Sequence, residues 1–166
     1  MSRTFAGLFV LVMVGASGCA STGAVPAPFP QPRVSPTASP RGEAVTPPAL
    51  VGTALSLRGA PYRNGGSDPT GFDCSGFVAY VFAQQGLYLP RTVSEQYEQG
   101  HQVAQDGLEP GDLVFFSTVA AGPSHVGIAI SADEFVHAPS SSGVVRIESL
   151  TASYWSSRLV GTRRIP

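Results

Sequence analysis

Eight of the chain's fifteen prolines stand between Ala20 and Pro48, and they decide how much of the chain can fold. Pro26, Pro28, Pro30 and Pro32 alternate with other residues, and serine, threonine and alanine fill much of the rest up to Thr46. Proline lacks an N–H and cannot propagate a helix or a central strand. Few side chains here could build a core, so residues 19–46 read as an extended, disordered tether. The remaining stretch, 47–166, is about 120 residues, enough for one domain with one hydrophobic core. Net charge is −1 with no long basic run, which gives nucleic-acid binding no support.

Residues 1–18 have the layout of a secretory signal peptide. Arg3 supplies a positive end, Phe5 to Val14 is an apolar run of roughly ten residues, and Ala16-Ser17-Gly18 are small. The run is too short to span a bilayer. It ends on Cys19, which resembles the lipobox of bacterial lipoproteins, although Ala16 stands where leucine is commonest. The resemblance implies cleavage before Cys19 and a membrane anchor through its lipidation, more than one acyl chain being needed to hold it stably. Ala20 and Ser21 come next, so nothing resembles the usual inner-membrane retention aspartate. In a two-membrane bacterium that implies the outer membrane, facing the periplasm. The alternative is an ordinary secretory signal with a leftover cysteine. With Cys19 lipidated, Cys74 has no disulfide partner, and the domain stands on packing alone.

Within the domain the hydrophobic period changes from helical to alternating. Thr46-Pro47-Pro48 opens a helix predicted to run to Arg58, with Gly59 ending it. Gly59 to Gly71 reads as loop. Cys74, Phe77, Val78, Val81, Phe82 and Gln85 then share one helical face, and Gly86 stops the helix. Thr92-Val93-Ser94-Glu95 is a capping-box pattern for a short helix ending near Gly100. After the turn Glu109-Pro110-Gly111-Asp112, strands are predicted at 113–116, 125–131, 135–138, 144–147 and 158–165, with short connections that favour antiparallel neighbours. Helices first and strands afterwards make an α+β domain.

Cys74 falls in the first turn of its helix, where unpaired N–H groups and the helix dipole favour a thiolate over a thiol. A small hydrophobe in a core helix is the plain alternative. Three histidines are available: His101, His125 and His137. His125 and His137 lie on successive strands. An odd-numbered loop between them puts both imidazoles on one sheet face, and an even one separates them unless a bulge intervenes. With the Cys74 helix packed on this sheet, Cys74 could meet His125. A base beside a thiol, oriented by a third polar group, is an activated nucleophile. His101 reads as a solvated loop residue.

Tyr62-Arg63-Asn64-Gly65-Gly66, Asp73-Cys74-Ser75-Gly76-Phe77, Pro110-Gly111-Asp112-Leu113-Val114-Phe115-Phe116, His125-Val126-Gly127-Ile128 and Phe135-Val136-His137-Ala138 resemble, in order and spacing, the NlpC-type bacterial cell-wall peptidases. The resemblance covers nearly all of the domain. It implies a papain-like α+β fold, N-terminal helices on a roughly five-stranded antiparallel sheet, and a Cys-His-His thiol mechanism on peptidoglycan stem peptides. By position it implies Cys74 as nucleophile, His125 as general base and His137 as the residue orienting it. Tyr62 stands beside the nucleophile, while Asp73, Ser75 and, less clearly aligned, Ser94 hold the amino end of the substrate peptide. Asp73 is equally a helix cap, and the alternative for Tyr62 is a packed loop aromatic.

The bond expected is the one between D-glutamate and the diamino acid, the D-alanyl–diamino acid cross-link being the alternative. No cofactor or metal is expected, and the protein reads as a monomer. Three rivals stay open. One is a zinc site on Cys74, His125 and His137, which lacks the close ligand pairs of common zinc modules. Another is a catalytically silent wall-binding or structural lipoprotein, and the third a thiol amidase or acyltransferase on the same scaffold.

Overall fold

The computed structural model describes residues 46–166. The signal-like residues 1–18, Cys19 with its expected lipid, and the tether before Thr46 lie outside the described residues. Helix α1 (Pro47–Ser56) begins with two prolines and buries Leu50 and Ala54. It stops two residues short of the predicted end, because Gly59 turns to φ 85° and its N–H bonds Val145 O at 2.9 Å.

The segment read as pure loop contains a two-residue antiparallel ladder, β1 (Ser67–Asp68) with β2 (Gly71–Phe72). It delivers the chain to Asp73, the N-cap of α2 (Cys74–Ala83), whose carboxylate accepts from Gly76 N at 2.7 Å. At the far end Leu87 N reaches back to Phe82 O and Gly86 N to Ala83 O, with Gly86 at φ 79°, the left-handed stop expected there. Two glycines let the loop press on the start of α2. A Cβ on Gly76 would lie 2.0 Å from Gly66 O, and one on Gly66 would lie 2.2 Å from Gly71 O. Helix α3 (Val93–Tyr97) has the full capping box between Thr92 and Glu95.

The sheet has six strands rather than the expected five: β3 (His101–Gln102), β4 (Leu113–Phe116), β5 (His125–Ala129), β6 (Glu134–His137), β7 (Arg146–Ser149) and β8 (Leu159–Arg164). Their order is β3-β8-β4-β5-β6-β7, antiparallel throughout. The extra strand β3 is two exposed polar residues paired with Arg163 and Arg164, so it carries no hydrophobic period to read. Strand β5 ends before Ser131 because Ile130 N and Ser131 N bond Glu134 O to close the turn. Strand β7 starts later than predicted, since Val144 and Val145 instead pair with Pro61 and Ala60.

Both sheet faces are covered. Leu113, Phe115, Val126, Ile128 and Val136 pack with Phe77, Val78, Val81 and Phe82 of α2 and with α1. On the other face Val114, Phe116, Ala129 and Phe135 pack with Leu108, Leu150 and Trp155. Trp155 comes from α4 (Ser153–Ser156), a single turn with no sequence signature. Among the described residues no helix is long and apolar enough to cross a membrane.

Candidate active site

Cys74 is the first residue of α2 and is half-buried. The backbone N–H groups of Ser75, Val126 and Cys74 itself lie toward its sulfur. Contact with the Val126 amide sets the thiol against the His125–Val126 peptide at the start of β5. The three amides favour the thiolate, but burial, and after it the charge of Asp73, push the thiol pKa up overall. Burial thus opposes what the helix position favours, and a neighbouring base becomes important to the thiolate.

The candidate for that base is a buried pair of imidazoles. Ile128 pairs with Val136 and Ala129 with Phe135, so five residues separate the paired positions. This is the odd-loop case, and His125 and His137 share one face. Their rings meet with His125 Nε2 2.6 Å from His137 Nδ1, which leaves Nδ1 of His125 for the thiol. The face they share is the one α4 covers, not the one α2 packs on. Cys74 therefore approaches at the strand end rather than through the core, and no hydrogen bond joins its sulfur to the ring. Such contacts are often long before substrate binds. Gly127 stands between the histidines, and a Cβ there would lie 3.2 Å from His137 Cβ.

Burial lowers the His125 pKa from 6.5 to about 4. His137 is lowered further, by burial first and then by the charges of His125 and Arg146. Folded pKa values below the unfolded one mean that the unfolded chain binds more protons as pH falls. This stability is therefore full above pH 6.5 and is lost as pH drops from 6.5 through about 4. Each histidine contributes up to about 1.4 kcal/mol per pH unit in that window. Urea unfolding at pH 7, 6 and 5 should show the midpoint falling, and His137→Leu should flatten the fall.

Beside Cys74, Tyr62 is half-buried, and its phenol pKa is raised by burial, then by the charges of Cys74 and Asp73. Asp73 is not free. Arg91 grips it from both sides, Nη1 to Oδ1 at 2.9 Å and Nη2 to Oδ2 at 2.6 Å. Gly65 N and Gly76 N occupy the carboxylate further. Arg91 also bonds Ser75 Oγ at 2.9 Å.

The sequence profile of the NlpC/P60 family matches residues 59–164. The chain belongs to the NlpC/P60 family. A murein DD-endopeptidase/murein LD-carboxypeptidase, MepS, of Escherichia coli is 48% identical over 109 residues, covering 65% of this chain and 57% of that protein. A gamma-DL-glutamyl hydrolase of Bacillus subtilis is 38% identical over 120 residues, 70% of this chain and 29% of that one. The chain thus spans little more than half the length of the first of these curated relatives and less than a third of the second. Among solved structures, an NlpC/P60 family protein from Bacillus cereus superposes with TM-score 0.70 at 30% identity, covering 75% of this chain and 42% of that one. The NlpC/P60 domain of the peptidoglycan hydrolase SagA gives 0.64 at 32%, covering 73% and 100%. The α+β fold is the papain-like one of these NlpC/P60 domains.

Within this NlpC/P60 domain, Tyr62, Asp73 and Ser75 gather around Cys74. Ser94 does not join them: it is exposed, and its hydroxyl lies 3.4 Å from Thr92 Oγ1 in the capping turn. His101 is exposed on β3. Among the described residues no group of three or more His, Cys, Asp and Glu side chains converges as a metal-ligand set. Sequence reasoning missed three residues. Arg91 follows Pro90 with no pattern that marks it. Gln96, in a short polar helix, is buried and donates to Ser75 O and Pro90 O, tying α3 to the first turn of α2. Trp155 had no period to place it.

Proposed function

We propose that the protein is a cysteine endopeptidase that opens D-alanyl–diamino acid cross-links in peptidoglycan. The observation that carries the choice of bond is the Arg91–Asp73 pair. A glutamyl cutter that registers a short stem peptide by its amino end needs a carboxylate free to pair with an ammonium. Here that carboxylate is saturated, and a guanidinium occupies the position the ammonium would take. The named activity of the E. coli relative supports the same bond. The D-glutamyl–diamino acid bond is the second reading, supported by the name of the B. subtilis relative and by a carboxylate next to the nucleophile.

The chemistry rests on the site. Nδ1 of His125 takes the Cys74 proton, while Nε2–H donates to His137, which holds the tautomer. The thiolate attacks the peptide carbonyl. The Cys74 and Ser75 N–H groups at the start of α2, which face the sulfur, turn to the oxyanion and stabilise it, each donor contributing roughly 100- to 1,000-fold in rate. The imidazolium protonates the leaving amine, and water, activated by the same ring, hydrolyses the thioester. The protein works in the cell envelope on stem peptides as substrate, anchored through a lipid on Cys19. Labelled fatty acid should enter the full chain and not a Cys19→Ala variant.

Acetylating the free amino end of the substrate tests the choice of bond. Turnover of acetylated, cross-linked dimers should stay within about threefold of the unmodified dimers. Loss of a charged hydrogen bond would instead cost roughly 10- to 150-fold. A loss of that size, with cleavage inside the stem, would install the glutamyl reading.

A further inference from the structure

We infer that Trp155 is a positioning residue for the histidine pair: its indole walls both imidazoles, keeps water from the hydrogen bond between them and stabilises the positive charge His125 carries in the thiolate–imidazolium pair. This rests on the thiol-peptidase reading above. The indole lies over His125 at 5.6 Å between centroids with the planes 27° apart. It meets His137 edge-on at 4.9 Å and 88°. Phe116 and Phe135 fix it from behind at 4.8 and 5.1 Å. The three rings are nearly closed to solvent: Trp155 and His125 are each 8% exposed and His137 is 0%.

The surroundings of the pair create the need for such a wall. A charged imidazole without water needs a compensating partner. The titratable and charged groups near it are Cys74 from α2, His137 from β6 and Arg146 from β7, which is paired with Glu148. Strand β4 and helix α4 present only Phe116 and Trp155. Among the described residues no carboxylate hydrogen-bonds either ring. When His125 Nε2–H donates to His137 Nδ1, the proton of His137 sits on Nε2, and that atom is buried with no hydrogen-bond partner. The second ring therefore passes no negative charge to the first. The His125 ring is faced by the electron-rich indole, within the range at which a cation and an aromatic face attract. Excluding water also strengthens the 2.6 Å bond that sets the tautomer.

The test uses the full chain with Trp155→Leu and Trp155→Phe. Leucine keeps apolar bulk without a π face, and phenylalanine restores one. Iodoacetamide alkylation of Cys74 against pH reports the thiolate directly. In Trp155→Leu the rise in alkylation should move up by about one pH unit, and kcat should fall on the order of tenfold with KM within about twofold. Trp155→Phe should recover most of both. Trp155 is the chain's single tryptophan, so its emission gives a readout without touching it. An adjacent imidazolium should quench the wild type relative to Cys74→Ala between pH 5 and 8. A Trp155→Leu protein with wild-type alkylation and kcat, a loss confined to KM, or emission identical in wild type and Cys74→Ala would each overturn the assignment. If wild-type Cys74 itself alkylates no faster than free cysteine, it is the thiol-peptidase reading that fails instead.

Discussion

Cys74→Ser will fold as the wild type does and will lose turnover by on the order of 10,000-fold or more, the loss seen when a covalent nucleophile is removed from a comparable triad. The fold should survive because serine is nearly isosteric and the capping of α2 comes from Asp73, not from the sulfur. Activity should not, because a hydroxyl has a far higher pKa than a thiol. The thiol here is already raised by burial and by Asp73, so the thiolate depends on His125 taking the proton, as a thiolate–imidazolium pair, rather than on the helix terminus alone. Alkylation of Cys74 should accordingly collapse in His125→Ala, whereas a helix-stabilised thiolate would keep reacting. Matching circular dichroism and urea midpoints, with single-turnover kinetics on peptidoglycan fragments, check the pair of expectations.

His137→Ala should lower kcat by roughly 100- to 10,000-fold with KM little changed, the range expected when the group that fixes a catalytic histidine's tautomer is removed. The residue does not reach the nucleophile. It holds Nε2 of His125 at 2.6 Å, and without it the buried ring can place its proton on either nitrogen and rotate. His137→Asn offers an amide oxygen to the same N–H and should recover part of the loss. The alanine variant also opens space between Phe135 and Trp155, so its rate must be compared below its own unfolding midpoint. A rise in KM with kcat unchanged would instead assign His137 to substrate binding.

How far these residues were legible depends on their local physics. The Cys74 helix announces itself because its cap, apolar face and terminal glycine agree, and β4 because its four-residue apolar run cannot be solvated, with the apolar residues of β5 and β6 following it across short connections. The shared face of the histidines was conditional on loop length, and the Ala129–Phe135 pairing meets the condition. Which face they take was not legible, because β5 is buried on both sides and its sequence is apolar on each. Nor was the occupied state of Asp73, since its partner Arg91 is eighteen residues away and nothing in either residue's surroundings encodes the pairing. The one-turn α4 and the two-residue β3 are too short to show a period, which hid Trp155 and the sixth strand. The opposing effects on the thiol were half legible, because helix position is visible in sequence and burial is not.

Digestion of purified peptidoglycan, with the products separated and weighed, tests the central claim most directly. Wild-type protein should convert cross-linked dimers into monomers with intact stem peptides, and Cys74→Ser should leave the dimers untouched. Dimers that survive the wild-type enzyme, or that disappear equally with the serine variant, would contradict it.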